Sequence, residues 1–284
     1  MVIVKNKENV MAGIVSFNPD IDRLILNIDA ILSQVNKVVL VDNSSNNIRE
    51  IESKLEKKYQ NSIELIENPS NLGIGNALNK IFQIADNLSY DWVVTLDQDT
   101  VVPDRLVDTY FKYYDMKSVG QISSNILEKS TNKTIYKSNK TFTEVTRCIT
   151  SGSMSNVSAW KLSGGYDEEL FIDYVDYDFS MKISKNNYKI IRCNDITIEH
   201  ELGDSVTKFL LFIPIRVPNY SPFRKFYISR NIIIYIRRYF SFKILILESL
   251  RLLKVIIYTM FENDKKNKYI SILTGIKKGI KYSK

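Results

Sequence analysis

The first hundred residues alternate short apolar runs with helical segments, and this alternation restricts the chain to a sheet of mainly parallel strands. Residues 10–16, 37–41, 62–66 and 92–96 read as strands, separated by helical segments at 23–32 and 48–59 and by one that Asn71-Leu72-Gly73-Ile74-Gly75 opens and that runs through Ile84. The segment 48–59 carries Ile48, Ile51 and Leu55 at helical spacing on one face. Each apolar run stops on polar residues: Ser16-Phe17-Asn18, Asp42-Asn43-Ser44, Asn68-Pro69-Ser70-Asn71 and Asp97-Gln98-Asp99. Parallel strands share one carboxyl edge, so these endings are expected to converge on one cleft, where open α/β sheets hold their ligands.

Asp97-Gln98-Asp99 is the most chemical of these endings. Two carboxylates at a strand end suit a hard cation, which is commonly held by one or two protein carboxylates and substrate phosphates. An ordinary strand-ending turn would also explain them, because Asp is common in turns. Asp42, at a βα turn, is placed to accept from a ribose or base. Asn71-Leu72-Gly73-Ile74-Gly75 gives an adaptable backbone at a helix start, suited to lining a nucleotide. Its glycines lack both the Lys-Ser/Thr of a P-loop and the spacing of a dinucleotide fingerprint.

Beyond residue 100 the pattern is less regular. Pro103 is expected to open a helix, residues 119–125 a strand, and 129–140 an exposed loop or hairpin. Residues 145–150 lead to a small-residue turn, Ser151-Gly152-Ser153. An acidic segment from Asp167 to Asp178 precedes a helix to Lys185 and a strand at 188–192. Asp173, Asp176 and Asp178 are candidate general bases; on a helix, Asp173 and Asp176 would share a face. After Pro222 three helices are expected, at 223–239, 242–261 and 269–280.

Charge divides the chain in two. Residues 208–284 hold 17 Lys and Arg against 3 acidic residues, a net +14, whereas 1–207 hold 22 against 29, a net −7. The boundary is therefore expected near 207, with an α/β body at 1–207 and a basic amphipathic helical region at 208–284. A basic, Ile/Leu/Tyr-rich tail suits an anionic membrane surface; a helical homodimer seam is the alternative. Nucleic acid is disfavoured, because the body is acidic and no recognition motif accompanies the tail. No apolar stretch reaches the roughly 20 residues of a spanning helix, and residues 1–15 read as a lead into the first strand. Cys148 and Cys193 fit no disulfide framework, so reduced thiols in a cytoplasmic protein are expected.

The ordered series of strand ends resembles that of the family-2 inverting glycosyltransferases, and within them bacterial rhamnosyltransferase-type members. The similarity continues through Gly164-Gly165-Tyr166-Asp167-Glu168-Glu169-Leu170-Phe171-Ile172, Asp176-Tyr177-Asp178, His200-Glu201-Leu202-Gly203-Asp204-Ser205 and Arg224-Lys225-Phe226-Tyr227-Ile228-Ser229-Arg230-Asn231, spanning roughly residues 10–240. The resemblance implies a GT-A fold, a dTDP- or UDP-sugar donor, and a Mg²⁺ or Mn²⁺ ion bridging the donor diphosphate to Asp97 and Asp99. It implies His200, the sole histidine, as a third metal ligand. It also implies Asp176 as the base, although Val175 stands where the family usually has Glu. Donor contacts are expected from Ser16, Asn18, Asp42, Asn71, Gly73, Asp97 and Arg230. The implied reaction moves a sugar, L-rhamnose by resemblance, to a polysaccharide or lipid-linked saccharide at the cytoplasmic face of the membrane. The competing readings are the same chemistry with a UDP-hexose, a non-catalytic membrane-associated assembly subunit, and a sugar nucleotidyltransferase. The last lacks the expected Gly-rich, Arg/Lys-bearing loop after the first strand.

Overall fold

The computed structural model describes residues 9–128, 133–200, 206–210 and 212–283. The chain forms two compact units, one of Met1–Glu169 with Val175–His200, the other of Leu170–Tyr174 with Glu201–Lys284.

The first unit opens with β1 (Val10–Ser16), α1 (Ile21–Leu32), β2 (Val38–Asp42), α2 (Ile48–Tyr59), β3 (Ile63–Glu67), α3 (Ile74–Asn87) and β4 (Trp92–Asp97). It continues with α4 (Leu106–Tyr110), β5 (Val119–Glu128), β6 (Lys133–Thr134), β7 (Phe142–Val145), β8 (Ser153–Asn156), α5 (Val157–Leu162), α6 (Val175–Lys185) and β9 (Lys189–His200). The sheet runs β3-β2-β1-β4-β8-β5-β9-β7, with β6 paired to β5. The first four strands are mutually parallel, as are β5 and β9, while β8 runs antiparallel to both its neighbours and β7 to β9.

β1 is a near-continuous apolar run because both its faces are covered, as in parallel sheets generally. Val10, Ala12 and Ile14 join a fully buried cluster with Leu24, Ile28 and Ile31 of α1 and Ile51 and Leu55 of α2. On α3, Ile81 comes so near Gly13 that a Cβ there would sit 2.2 Å from its Cγ2. Each such buried aliphatic side chain contributes about 1.5–3 kcal/mol. Asp20 caps α1 by accepting from the Arg23 N–H at 2.9 Å, an interaction typically worth about 1 kcal/mol.

Pairing then sets the edge. Ser16 stands opposite Asp42, Asp42 opposite Glu67, and Val15 opposite Asp97, so the first, second and fourth strand endings lie side by side. The strand order reverses between β1 and β4, where open α/β sheets bind ligands.

Two expectations change. Pro103 does not open a helix: α4 begins at Leu106, after Arg105 in a left-handed conformation (φ 66°). Ser153 is not part of a turn but the first residue of β8, which is inserted between β4 and β5. Its Ser153-Met154-Ser155 core is fully buried, yet its composition carries no apolar run to announce a strand.

The second unit contains the antiparallel pair β10 (Val206–Leu210) and β11 (Ile213–Val217), then α7 (Pro222–Arg238), α8 (Phe242–Thr259) and α9 (Lys265–Lys281). Gly275 of α9 packs onto α7 where a Cβ would lie 2.4 Å from the Phe226 carbonyl oxygen. Buried Glu262 accepts from Lys225 at 2.8 Å and Lys268 at 3.0 Å. Burial pushes the Lys225 ammonium below its ordinary value, partly offset by Glu262. Residues 170–174 belong here because α7 grips them: Asn231 Nδ2 donates at 2.9 Å to the carbonyls of Leu170, Ile172 and Asp173.

Candidate active site

The β1, β2 and β4 endings are fixed by hydrogen bonds among their own residues. Asp42 is fully buried. Its carboxylate accepts from Ser16 Oγ at 2.7 Å, Ser45 Oγ at 2.6 Å and the Ser45 N–H at 2.7 Å. Ser45 Oγ in turn accepts from the Asn18 N–H at 2.7 Å, and Asn18 Oδ1 accepts from the Asn46 N–H at 2.8 Å. Asp42 thus organises the loops holding Ser16 and Asn18. A carboxylate has about four acceptor positions, and three are used among the described residues.

The Asp-x-Asp segment is held by its backbone and by its middle residue. Ser151 Oγ accepts from the Asp97 N–H at 2.9 Å and donates to Thr100 Oγ1 at 2.7 Å. Asn27 Nδ2 donates to the Asp97 carbonyl at 2.7 Å, and Arg23 Nε to the Asp99 carbonyl at 2.8 Å. Gln98 Oε1 accepts from the Phe17 N–H at 2.8 Å, tying the β4 ending to the β1 ending. Asp97 is half-buried and Asp99 exposed. The holding roles of Ser151, Asn27, Arg23 and Gln98 are not legible in the sequence. Ser151-Gly152-Ser153 and Asp97-Gln98-Asp99 stand out as motifs, but neither carries pairing information.

A second polar network runs from β2 to the acidic segment. Asn43 Nδ2 donates to the Gly73 carbonyl at 3.4 Å, and the Gly73 N–H donates to Asn71 Oδ1 at 3.0 Å. Gly73 precedes α3 with φ 85°, a conformation that strains other residues. Asn68 donates to Asn43 Oδ1 at 2.8 Å and accepts from Lys80 Nζ. Asn76 and Asn79 both donate to the Glu168 carboxylate at 2.8 Å, and Asn79 Oδ1 accepts from the Tyr166 N–H and from Trp160 Nε1. Behind them Tyr166 stacks on Phe179 and Trp160 on Phe82, with centroids 4.2 and 5.5 Å apart.

Asp176 lies half-buried in the first turn of α6, and its Oδ1 accepts from the Tyr177 N–H at 2.8 Å. Burial, and after it the Asp176 charge, pushes the Cys148 thiol up to about 12; burial, then Cys148 and Asp176, hold the Tyr166 phenol well above its ordinary value. Asp173 does not share a helical face with Asp176. It precedes α6 with φ 61° and pairs in the second unit with Arg224, whose Nε and NH2 donate to it at 3.1 and 3.0 Å. Asp178 is buried, its Oδ2 lying 3.3 Å from Lys182 Nζ. Arg230 also belongs to the second unit, where its guanidinium lies 4.6 Å from the Tyr227 ring centre and its Nε donates to Asn231. The His200 side chain lies outside the described residues, as does the segment 201–205.

Among the described residues no three His, Cys, Asp or Glu side chains gather into a metal cage. Asp97 and Asp99 together supply hard oxygen donors at the sheet edge, which fits a Mg²⁺ or Mn²⁺ ion sharing its shell with diphosphate oxygens.

The profile of the family described as glycosyl transferase family 2 matches residues 12–171, more than half of this 284-residue chain. The chain is similar to the dTDP-rhamnosyl transferase RfbF of Shigella flexneri, with 26% identity over 253 residues covering 81% of this chain and 80% of that protein. Among solved structures, it superposes on the mannosyltransferase PcManGT from Pyrobaculum calidifontis, in complex with GDP-Man and Mn²⁺, with a TM-score of 0.61 and 12% identity over 96% of this chain and 88% of that one. GalNAc-T7 with UDP, GalNAc and Mn²⁺ gives a TM-score of 0.61 at 14% identity over 79% of this chain. The match spans about half of GalNAc-T7, 48% of its length.

Proposed function

This chain belongs to glycosyltransferase family 2 and has a GT-A fold, and from that premise we propose that it is a metal-dependent, inverting rhamnosyltransferase. The donor is dTDP-L-rhamnose, by similarity to the Shigella flexneri dTDP-rhamnosyl transferase. The acceptor is a growing polysaccharide or a lipid-linked saccharide.

One observation carries the reading: the carboxylates of a strand-end Asp-x-Asp lie at the sheet's switch point, on a backbone anchored by Ser151, Asn27 and Arg23. Asp99, with Asp97, would hold the ion; bound there, it supplies electrostatic stabilisation of the diphosphate leaving group. Ser16, Asn18 and Asp42 shape the pocket for the nucleoside, Asp42 by holding Ser16 and Ser45 in place, while Asn71 and Gly73 line its other side. Asp176 takes the proton from the acceptor hydroxyl, on the face of the sugar opposite the diphosphate. Asp176 stands in the first turn of α6, half-buried, and the resemblance to the family is what supports this role. His200 completes the metal shell in this proposal.

The enzyme works at the cytoplasmic face of an anionic membrane. No described helix is long and apolar enough to cross one. On α8, Phe242, Ile246, Leu250 and Leu253 form an exposed apolar stripe beside Lys243 and Lys254, the pattern of an interfacial helix. Both described cysteines are free thiols, in keeping with a reducing compartment. Cosedimentation with anionic but not neutral liposomes, weakening with salt, is the expected behaviour; indifference to lipid charge contradicts it.

A donor-hydrolysis screen of dTDP- and UDP-sugars with Mg²⁺ or Mn²⁺ tests the function. Turnover of dTDP-rhamnose, abolished by chelation and by Asp176→Asn in transfer assays, is expected. Preferential turnover of a UDP-hexose overturns the donor, and no turnover of any donor supports the scaffold reading.

A further inference from the structure

Residues 170–174 combine an unusual backbone with an unusual set of restraints. Phe171, Asp173 and Tyr174 have φ of 62°, 61° and 69°, a left-handed conformation that strains bulky side chains. Such strain persists only where surrounding contacts over-determine it, and it gathers at functional sites. The restraints come from the second unit, to which the segment belongs. Asn231 holds three of its carbonyls, Arg224 pairs with Asp173, and the Phe171 ring stacks on Tyr227 with centroids 4.9 Å apart. Tyr174 is held at both ends. Its ring meets Tyr235 edge-on at 5.4 Å, and its hydroxyl donates to the Glu248 carboxylate. Burial, then Glu248, holds the phenol well above its ordinary value, so it keeps its proton and remains a donor.

Glu248 is a surprising partner. On the 18-residue α8 the buried residues are Glu248 and Thr259. Glu248 also accepts from Arg251, whose NH1 lies 3.2 Å from Oε1. Replacing buried ionic groups by apolar packing is often neutral or stabilising, so a buried carboxylate here serves geometry rather than stability. The geometry in question is the entry to α6, because Val175 and Asp176 follow Tyr174 directly. With planar peptides, the dihedrals of Asp173 and Tyr174 set the direction in which the first turn of α6 leaves.

We propose that Tyr174 and Glu248 are positioning residues for the reaction: their hydrogen bond locks the left-handed entry to α6 and so fixes where the Asp176 carboxylate points. The proposal rests on the reading of Asp176 as the base. Both residues act through the backbone at Val175 and Asp176, and neither touches a reacting group.

The test pairs kinetics with hydrogen exchange on the full chain. Hydrolysis of dTDP-L-rhamnose or UDP-glucose with Mn²⁺ supplies the kinetics, water standing in for the acceptor hydroxyl. Tyr174→Phe keeps the ring and loses the hydroxyl. It is expected to lower kcat about tenfold, with the donor KM within about twofold of wild type. Glu248→Ala is expected to match it, and Glu248→Gln, which still accepts from the phenol, to recover most of the rate. The amides of residues 175–178 are expected to exchange about tenfold faster in Tyr174→Phe, while those of α1 exchange as in wild type. Should Glu248→Ala fail to fold by thermal melting, Tyr174→Phe decides. The proposal is overturned if folded Tyr174→Phe keeps the wild-type kcat, or if its residues 175–178 exchange no faster. Asp176→Asn separates the two readings. An inactive Asp176→Asn beside an unaffected Tyr174→Phe keeps the base and removes the positioning role; a fully active Asp176→Asn removes the base and the proposal with it. If the wild type turns over neither donor, the transferase reading falls, and the exchange measurement alone decides whether the pair locks the helix entry.

Discussion

Gln98 Oε1 accepts the Phe17 backbone N–H at 2.8 Å, so the residue between two aspartates fastens the β4 ending to the β1 ending. The middle position of an Asp-x-Asp pattern looks interchangeable in sequence. Here it fixes the spacing between the loop of the candidate metal ligands and the loop of the candidate nucleoside pocket.

Gln98→Ala should therefore slow donor turnover with little effect on folding. A neutral hydrogen bond is worth about 1 kcal/mol, or roughly a fivefold effect on rate if it is felt in the transition state. Steady-state kinetics alongside thermal melting checks this; an unchanged rate means the tie does not position the aspartates.

Asp42 should matter for stability before it matters for chemistry. Asp42→Ala strands the Ser16 and Ser45 hydroxyls and the Ser45 N–H in a buried site, at an expected cost of about 3 kcal/mol. Asp42→Asn should cost less, because one oxygen can still accept the Ser45 N–H while the hydroxyls rotate to accept from the new amide. Urea denaturation of both variants gives the order; equal and negligible losses would remove Asp42 from this organising role.

The buried Lys225–Glu262–Lys268 triad carries a larger effect. Glu262→Gln leaves two buried ammonium groups without their counter-charge, and a loss of about 3–5 kcal/mol is expected in urea denaturation. A loss below about 1 kcal/mol would mean that water reaches the lysines.

Stability should fall at alkaline pH. The Cys148 thiol keeps its proton to about 12 in the fold, whereas an unfolded thiol ionises near pH 8.5. Between these values the folded chain binds more protons, so the contribution is fully present below about pH 8.5 and is lost as pH rises towards 12. Tyr113, pushed up to about 12 chiefly by burial, acts with the same sign. Cys148→Ala should flatten the decline in melting temperature between pH 8.5 and 11; an unchanged slope would exclude the thiol as its source.

The parallel half of the fold was legible because β1, β2 and β4 are buried on both faces and therefore read as unbroken apolar runs. The α2 face of Ile48, Ile51 and Leu55 is likewise buried as its spacing predicts. β8 was not legible, since Ser153 and Ser155 carry polar hydroxyls yet are buried between β4 and β5, strands distant in the sequence. Asp173 looked like a helical partner of Asp176, but its positive φ and its pairing with Arg224 depend on contacts made 51 residues away. Strand ends reveal which residue types gather at an edge. They do not reveal which side chains hold the edge in place, and Gln98, Asn27 and Ser151 belong to that second group.

The central claim is that Asp97 and Asp99 hold a divalent ion together with a nucleoside diphosphate. Calorimetric titration of dTDP into the full chain, with and without Mn²⁺, tests it most directly. The wild type is expected to bind dTDP at least tenfold more tightly with Mn²⁺, and Asp99→Ala, still folded, to lose that gain. Equal dTDP affinity with and without Mn²⁺, or a gain that survives in Asp99→Ala, would contradict it.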